Sequence, residues 1–152
     1  MRWMGTFTVV VMLCLTGAGR AQGNEAGEAA QQYRQSLFQT IVWNFKPMSD
    51  MARGKREFDA AEAKRRALAV SYLSVLLGEA FPEGSGASAG TTDALDAIWQ
   101  NQADFAAKLK NFQVEANALR KLADQGDAAI FNEQFKKLSG TCKGCHDKYK
   151  AD

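Results

Sequence analysis

The sequence predicts an all-α fold, organised as an antiparallel four-helix bundle. After residue 21, apolar residues recur at helical spacing along nearly the whole chain, and no alternation of apolar and polar residues is long enough to indicate a strand. Residues that start or stop helices divide this pattern into four segments with short connections. Such segments favour an antiparallel bundle, in which inward side chains of facing helices form cofactor sites.

The first helix is expected to run from about Ala26 to Lys46. Pro47 lacks a backbone N–H and restricts the residue before it, so we expect the helix to end there. Met48 and Met51 are then predicted to lie in the connection that follows, outside the first helix.

The second helix is expected to begin after Asp59 and to extend to about Glu79. Asp59 and Glu62 have the spacing of an N-cap residue and the acid that reciprocates its hydrogen bond. The segment 81–90 is rich in glycine and serine and contains a proline, which is typical of a loop.

The third helix is expected to start near Thr92 or Asp93 and to end at Gly126. Asp127 then opens the fourth helix. Its apolar residues and cysteines follow one stripe in steps of three and four: Phe131, Phe135, Leu138, Cys142, Cys145 and Tyr149. Both cysteines are therefore expected on the face directed to the core.

Residues 1–21 have the features of a cleaved secretory signal peptide. Arg2 gives a positive start, an apolar run covers residues 7–15, and Ala21 is a small residue suited to cleavage. The apolar run is about half of the ~20 residues that a membrane-spanning helix needs. We therefore expect one exported domain, residues 22–152, with no membrane segment after cleavage.

The charge pattern gives no reason to expect a nucleic acid partner. The sequence has 19 basic and 17 acidic residues, and the predicted signal peptide removes Arg2 and Arg20. The basic residues that remain are interleaved with acidic ones rather than clustered. Nucleic acid is therefore excluded from the expected partners.

The exported chain keeps two cysteines, in the motif Cys142-Lys143-Gly144-Cys145-His146. This spacing is the one that attaches haem in c-type cytochromes. On one helical face, the two thiols can reach the vinyl groups along one haem edge, while His146 directs its imidazole to the iron. We therefore expect one haem c per chain, held between helices through Cys142 and Cys145, with His146 as the metal ligand.

Three other interpretations of the motif are open. A structural zinc site needs four ligands, whereas the exported chain has two cysteines and one histidine. A thioredoxin-like redox pair normally lies in a βαβ unit, of which the sequence has no sign. A chance occurrence in a structural helix would leave two exported thiols without a function.

Composition also limits how the iron is coordinated. His146 is the only histidine, so two histidine ligands within one chain are excluded. Met48 and Met51 are the only thioethers left after cleavage, and their predicted place in a connection makes ligation awkward. An open sixth position is therefore favoured, and a sixth ligand from Met48 or Met51 is the alternative.

Several further segments are spread over the whole exported chain: Tyr33-Arg34-Gln35-Ser36, Gly54, Phe58-Asp59-Ala60, Phe81-Pro82, Gly84-Ser85-Gly86, Ile98-Trp99, Gly126-Asp127 and Cys142–Lys150. Together they resemble the cytochrome c′ family of class II c-type cytochromes, which has relatives of the cytochrome c556 type. Class I cytochromes carry the haem motif near the N-terminus instead. The resemblance implies a left-twisted bundle, usually a homodimer packed through its first two helices, in the periplasm of a Gram-negative bacterium.

The resemblance also implies roles for single residues. Arg34 and Gln35 match positions that lie against the haem propionates, where a guanidinium can pair with a carboxylate, although an exposed pair on a helix face is the alternative. Phe38 matches the distal position, where many relatives have leucine and the c556 type has methionine. It could equally be a plain core aromatic. Lys150 matches a basic residue beside the proximal histidine.

Two classes of function follow. The first is a five-coordinate haem protein that exchanges electrons with redox partner proteins or binds diatomic gases such as nitric oxide and carbon monoxide. Its alternative is a six-coordinate, low-spin electron carrier of the c556 type. With Leu37 and Phe38 nearby and no obvious distal donor, bound dioxygen would lack polar stabilisation.

The second class is an enzyme, for instance a peroxidase, which needs a distal acid–base group, usually histidine. Since His146 is committed to the iron, we expect no enzyme.

Replacing both Cys142 and Cys145 with alanine is expected to abolish covalent haem attachment. Thioether bonds survive denaturation, whereas ligation by His146 alone does not, so the unmutated chain should keep its haem through acid-acetone extraction. Absorption of the extracted protein measures the haem retained. Loss of all haem from the unmutated chain would contradict the c-type assignment.

Overall fold

The computed structural model describes residues 18–151, and over this range it is all helical apart from turns and loops. The helices are α1 (Ala18–Ala52), α2 (Ala60–Leu76), α3 (Ala97–Gln100), α4 (Gln102–Ala123) and α5 (Ala128–Tyr149). The four long helices form the predicted antiparallel bundle, in which α2 packs against α1 and α4, and α5 packs against α4 and α1. Residues 1–17 of the predicted signal peptide lie outside the described residues.

Two aspartates begin helices as the sequence predicts. The Asp59 carboxylate accepts a hydrogen bond from the Glu62 N–H at 2.9 Å, and the Asp127 carboxylate accepts one from the Ile130 N–H at 2.9 Å. Gly126, directly before Asp127, has a φ of +69°, which favours glycine. These local signals confirm the starts of α2 and α5. The reciprocal bond expected from Glu62 is not formed, because the Asp59 N–H donates to the Met51 sulfur instead.

Both predicted ends of the first helix are wrong. The helix begins at Ala18 rather than near Ala26, and it continues past Pro47 to Ala52 with the proline inside it. A proline within a helix costs about 3 kcal/mol. Met48 and Met51, which were expected outside the helix, are 0% and 4% exposed in the core. Burying each methionine contributes about 1.5–3 kcal/mol, which is enough to offset the proline.

The predicted start of the third helix near Thr92 or Asp93 is also wrong. The helix begins at Ala97 and is interrupted at Asn101, where φ is −128° and ψ is 48°, before α4 continues the run. Residues 93–95 instead bind the end of α5: the Leu95 N–H donates to the Tyr149 carbonyl at 3.0 Å, and the Ala151 N–H donates to the Asp93 carbonyl at 2.8 Å. This pairing replaces the first turn of the expected helix.

The core is built from the inward stripes of the four long helices. Its largest fully buried side chains include Met48, Val70, Leu77, Leu119, Phe131 and Leu138. Among residues 18–151, no helix has both the length and the apolar character required to cross a bilayer.

Asp127→Ala is expected to lower the free energy of unfolding by about 1 kcal/mol, because the first N–H groups of α5 lose their cap. Thermal or urea unfolding of the haem-loaded protein measures this. Asp124→Ala is the matched control, since Asp124 makes only an exposed ion pair with Lys64 and its loss should change little. Equal effects of the two substitutions would contradict a capping role for Asp127.

Candidate functional site

A cleft of about 420 Å³ lies between α1, α5 and the connection that follows α2. Arg34, Gln35 and Phe38 line it from α1, while Cys145 and His146 line it from α5. Its volume lies within the range of about 300–1,000 Å³ found for cofactor sites. The fold therefore brings five of the six predicted site residues to one cavity, and the sixth, Cys142, lies one turn before Cys145.

The two cysteines are free thiols, and both are partly buried. Cys142 packs against the core cluster and donates a weak hydrogen bond to the Leu138 carbonyl, with an Sγ–O distance of 3.8 Å. Burial raises the pKa of both thiols above the ordinary value. Both therefore stay protonated at neutral pH in the protein without its cofactor.

His146 lies at the exposed rim of the cleft. Partial burial of its imidazole lowers the pKa of His146, and the positive charge of Lys150 acts in the same direction. The ring is therefore neutral near pH 7, which is the form that binds a metal ion. Lys150 also lines the cleft, with its ammonium nitrogen 3.3 Å from the carboxylate of Asp93.

Four aromatic rings form a continuous chain along the cleft. The ring centroids of Phe38 and Phe81 are 6.4 Å apart, those of Phe81 and Phe105 are 4.8 Å apart, and those of Phe105 and Tyr149 are 5.2 Å apart, all edge to face. Phe81 lies in the segment that the sequence predicts as a loop, and Phe105 lies in the predicted third helix. No local signal identifies them as site residues, because the four rings come from different parts of the chain.

Arg34 is buried, with only 3% of its surface exposed, so the interpretation as an exposed helix-face residue is wrong for it. One guanidinium nitrogen donates to the Ala80 carbonyl at 3.2 Å and to the Ser85 hydroxyl at 3.1 Å. The other donates to the Ser85 carbonyl at 2.8 Å and to the Thr92 hydroxyl at 3.0 Å. Burial lowers the pKa of Arg34.

Two further residues of α1, Gln39 and Val42, join Gln35 on the cleft wall at the spacing of one helical face. Gln35 is exposed, and its side-chain nitrogen is 3.5 Å from the Thr91 carbonyl. The Gln39 amide is a hydrogen-bond donor that the sequence did not predict. Leu37 was expected near the pocket but is buried in the core cluster instead.

These residues fit a covalently attached haem. Two thiols lie one turn apart on α5 beside a neutral imidazole, and phenylalanine rings line the cavity. Among the described residues, buried Arg34 forms no ion pair with a carboxylate, whereas buried charges are normally paired. The acidic groups of a haem would supply the missing negative charge at this edge of the cleft.

Comparison with known proteins agrees with the site. A family model described as cytochrome C′ matches residues 29–150. Cytochrome c′ of Rubrivivax gelatinosus is 37% identical over 129 residues, which cover 85% of this chain and 98% of the relative. Cytochrome c′ of Rhodospirillum rubrum is 38% identical over 149 residues, covering 95% and 96%.

Solved structures give the same result. Cytochrome c prime from Shewanella frigidimarina is 42% identical and superposes with a TM-score of 0.79, covering 83% of this chain and 97% of the other. A nitric oxide complex of a variant of cytochrome c prime from Alcaligenes xylosoxidans is 32% identical, with a TM-score of 0.75 and coverage of 83% and 97%. The chain therefore belongs to the cytochrome c′ family, whose members carry haem c bound covalently through two cysteines, here Cys142 and Cys145.

Proposed function

We propose that this protein is a periplasmic monohaem cytochrome whose iron is five-coordinate, with His146 as its one protein ligand. It transfers electrons to or from redox partner proteins, binds small diatomic gases such as nitric oxide and carbon monoxide, or does both. The observation that carries this proposal is the composition of the cleft, which His146 lines from α5. Among the described residues, those that line it from α1 include Phe38 and contain no sulfur or imidazole.

The positions of the two methionines argue against the six-coordinate alternative. Met48 is buried in the core, ten residues after Phe38 on α1, or about 15 Å along the helix. The sulfur of Met51 accepts a hydrogen bond from the Asp59 N–H at 3.3 Å. Neither side chain lines the cleft, so a methionine ligand would require α1 to unfold locally.

Each site residue has a separate task in this proposal. Haem c, when bound, supplies a redox-active iron with an open coordination position. His146 holds the iron on the α5 side, and the two thioethers of Cys142 and Cys145 keep the group attached. Phe38 restricts access from the α1 side. Arg34 and Gln35 border the polar edge of the cleft, where the positive charge of Arg34 and the amide of Gln35 would favour the propionates.

The gas-binding role draws support from a relative, since variants of cytochrome c prime from Alcaligenes xylosoxidans form nitric oxide complexes. Phe38 and its neighbouring rings favour weakly polar ligands, whereas a dioxygen adduct needs polar stabilisation. Gln35 and Gln39 contribute the side-chain amides that line the cleft from α1. A peroxidase would need a second acid–base group, and His146 is the only histidine of the sequence.

A homodimer through α1 and α2 is part of the proposal. Among the described residues, eight of the eleven exposed large apolar side chains lie on these two helices, including Trp43, which is 72% exposed, and Tyr72 and Val75. Large exposed apolar surfaces mark interaction sites.

The predicted signal peptide supports the periplasm as the location.

Arg34→Ala is expected to lower the free energy of unfolding by about 3 kcal/mol, because the Ala80 and Ser85 carbonyls lose buried donors. The reduction potential should also shift, while Cys142 and Cys145 keep the haem attached. Thermal unfolding and a redox titration measure the two effects. Arg34→Lys keeps the positive charge but not the planar guanidinium group. Compared with Arg34→Ala, it should therefore recover more of the lost reduction-potential difference than of the lost free energy of unfolding. An unchanged reduction potential in Arg34→Ala would contradict the proposed role of Arg34 at the haem propionates.

Carbon monoxide is expected to bind the ferrous protein slowly and without displacing a protein ligand, because the Phe38 ring must move first. Phe38→Ala should speed the binding at least about tenfold, which corresponds to a barrier lowered by about 1.4 kcal/mol. Flash photolysis or stopped-flow absorption measures the rate. Phe45→Ala is the control, since Phe45 lies on α1 but packs against Phe135 in the core.

The absorption spectrum of the unmutated ferrous protein decides between the two coordination states. A high-spin, five-coordinate spectrum is expected. A low-spin spectrum that Met48→Leu or Met51→Leu converts to high-spin would overturn the proposal in favour of the six-coordinate electron carrier.

A further inference from the structure

We propose that Tyr149 is a positioning residue, whose hydrogen bond to Asp104 fixes the orientation of the turn of α5 that carries His146 and thereby tunes the iron. This inference rests on the proposed function, in which His146 is the iron ligand. It adds a pair of residues from two helices to a site otherwise described by α1 and the haem motif.

Tyr149 is enclosed at the end of α5. Only 2% of its surface is exposed, and its ring lines the cleft while packing edge to face on Phe105 of α4. The hydroxyl donates to the Asp104 carboxylate at 2.5 Å. A second, weaker contact joins the hydroxyl to the Asn101 carbonyl at 3.5 Å. A buried phenol that donates to a carboxylate makes one of the stronger kinds of neutral-to-charged hydrogen bond.

Asp104 lies in the first turn of α4, where a carboxylate is favoured by the helix dipole, and its side chain is about half exposed. Its carboxylate also accepts a hydrogen bond from the Lys148 ammonium at 2.9 Å. The hydrogen bonds from Tyr149 and Lys148 lower the pKa of Asp104, so the carboxylate stays ionised and remains a strong acceptor. The hydrogen bond between Tyr149 and Asp104 thus ties the end of α5 to the start of α4.

The constraint reaches His146 through less than one helical turn. Tyr149 follows His146 by three residues, and the Lys150 N–H donates to the His146 carbonyl at 3.2 Å. The Tyr149 carbonyl accepts from the Leu95 N–H at 3.0 Å, which holds the backbone of the same turn against the cleft wall. With its side chain also bound to α4, these contacts oppose rotation of this turn about the helix axis. That rotation, together with the side-chain torsions of His146, sets the direction of the imidazole.

Lys148 makes a weaker contribution and provides the control. Its ammonium group bonds the same carboxylate, but the side chain is about half exposed, and exposed ion pairs contribute little. Lys148 is not a lining residue of the cleft. Its ammonium nitrogen also lies 5.4 Å from the centroid of the Tyr149 ring. Lys148→Met therefore removes a charge and this ring contact, while the Tyr149 hydroxyl keeps Asp104 as its acceptor.

The test compares Tyr149→Phe, Asp104→Asn, the double variant and Lys148→Met in the haem-loaded protein. Tyr149→Phe removes one hydroxyl and no charge. We expect it to raise the unfolding equilibrium constant about tenfold, to speed hydrogen exchange of the Leu95 amide, and to shift both the resonance Raman band of the iron–histidine bond and the reduction potential. Adding Asp104→Asn to Tyr149→Phe should shift the Raman band no further, and Lys148→Met should leave the band in place.

The outcomes separate this inference from the function on which it rests. If the unmutated ferrous protein has no iron–histidine band, the proposed ligation by His146 fails and the inference fails with it. If the band is present but Tyr149→Phe changes stability alone, the hydrogen bond is merely structural and the inference is overturned. If Lys148→Met shifts the iron–histidine band as much as Tyr149→Phe does, the shift comes from the change in charge. That result would also overturn the inference.

Discussion

The buried guanidinium of Arg34 holds the long connection between α2 and α3 against α1, and the cleft depends on this attachment. Segment 80–96 has little regular structure of its own, so its carbonyls need partners from elsewhere. Arg34 supplies donors to Ala80, Ser85 and Thr92, and Gln31, one turn earlier, donates to the Gly86 carbonyl at 2.7 Å. These bonds hold one wall of the cleft against α1.

The haem-carrying end of α5 closes the same cavity from the other side. Its last residues pair with the backbone of residues 93–95 and with the first turn of α4 through Asp104. The rim is electrostatically balanced, because Lys143, Lys148 and Lys150 each lie beside an aspartate. The cofactor site is thus held by polar contacts at its edges and by aromatic rings along its wall.

The errors in the predicted end of α1 and the predicted start of the third helix have a common origin. Pro47 stays within α1 because burial of Met48 and Met51 outweighs the lost backbone bond, and this burial depends on the packing of α1 in the bundle. Residues near Thr92 are not helical because α5 and Arg34 bind them. In both places, contacts between distant segments outweigh a local preference: for ending a helix at Pro47, and for starting one near Thr92.

The sequence by itself determined the helical class, the caps at Asp59 and Asp127, and the pair of cysteines that attaches haem. Each of these depends on residues within a few positions of one another, where helix geometry sets the spacing. Only the tertiary structure decided that Arg34 is buried, that Met48 lies in the core, and that four aromatic rings meet along the cleft. Those contacts join residues from distant segments, and their energies depend on how the helices pack against one another rather than on any local pattern.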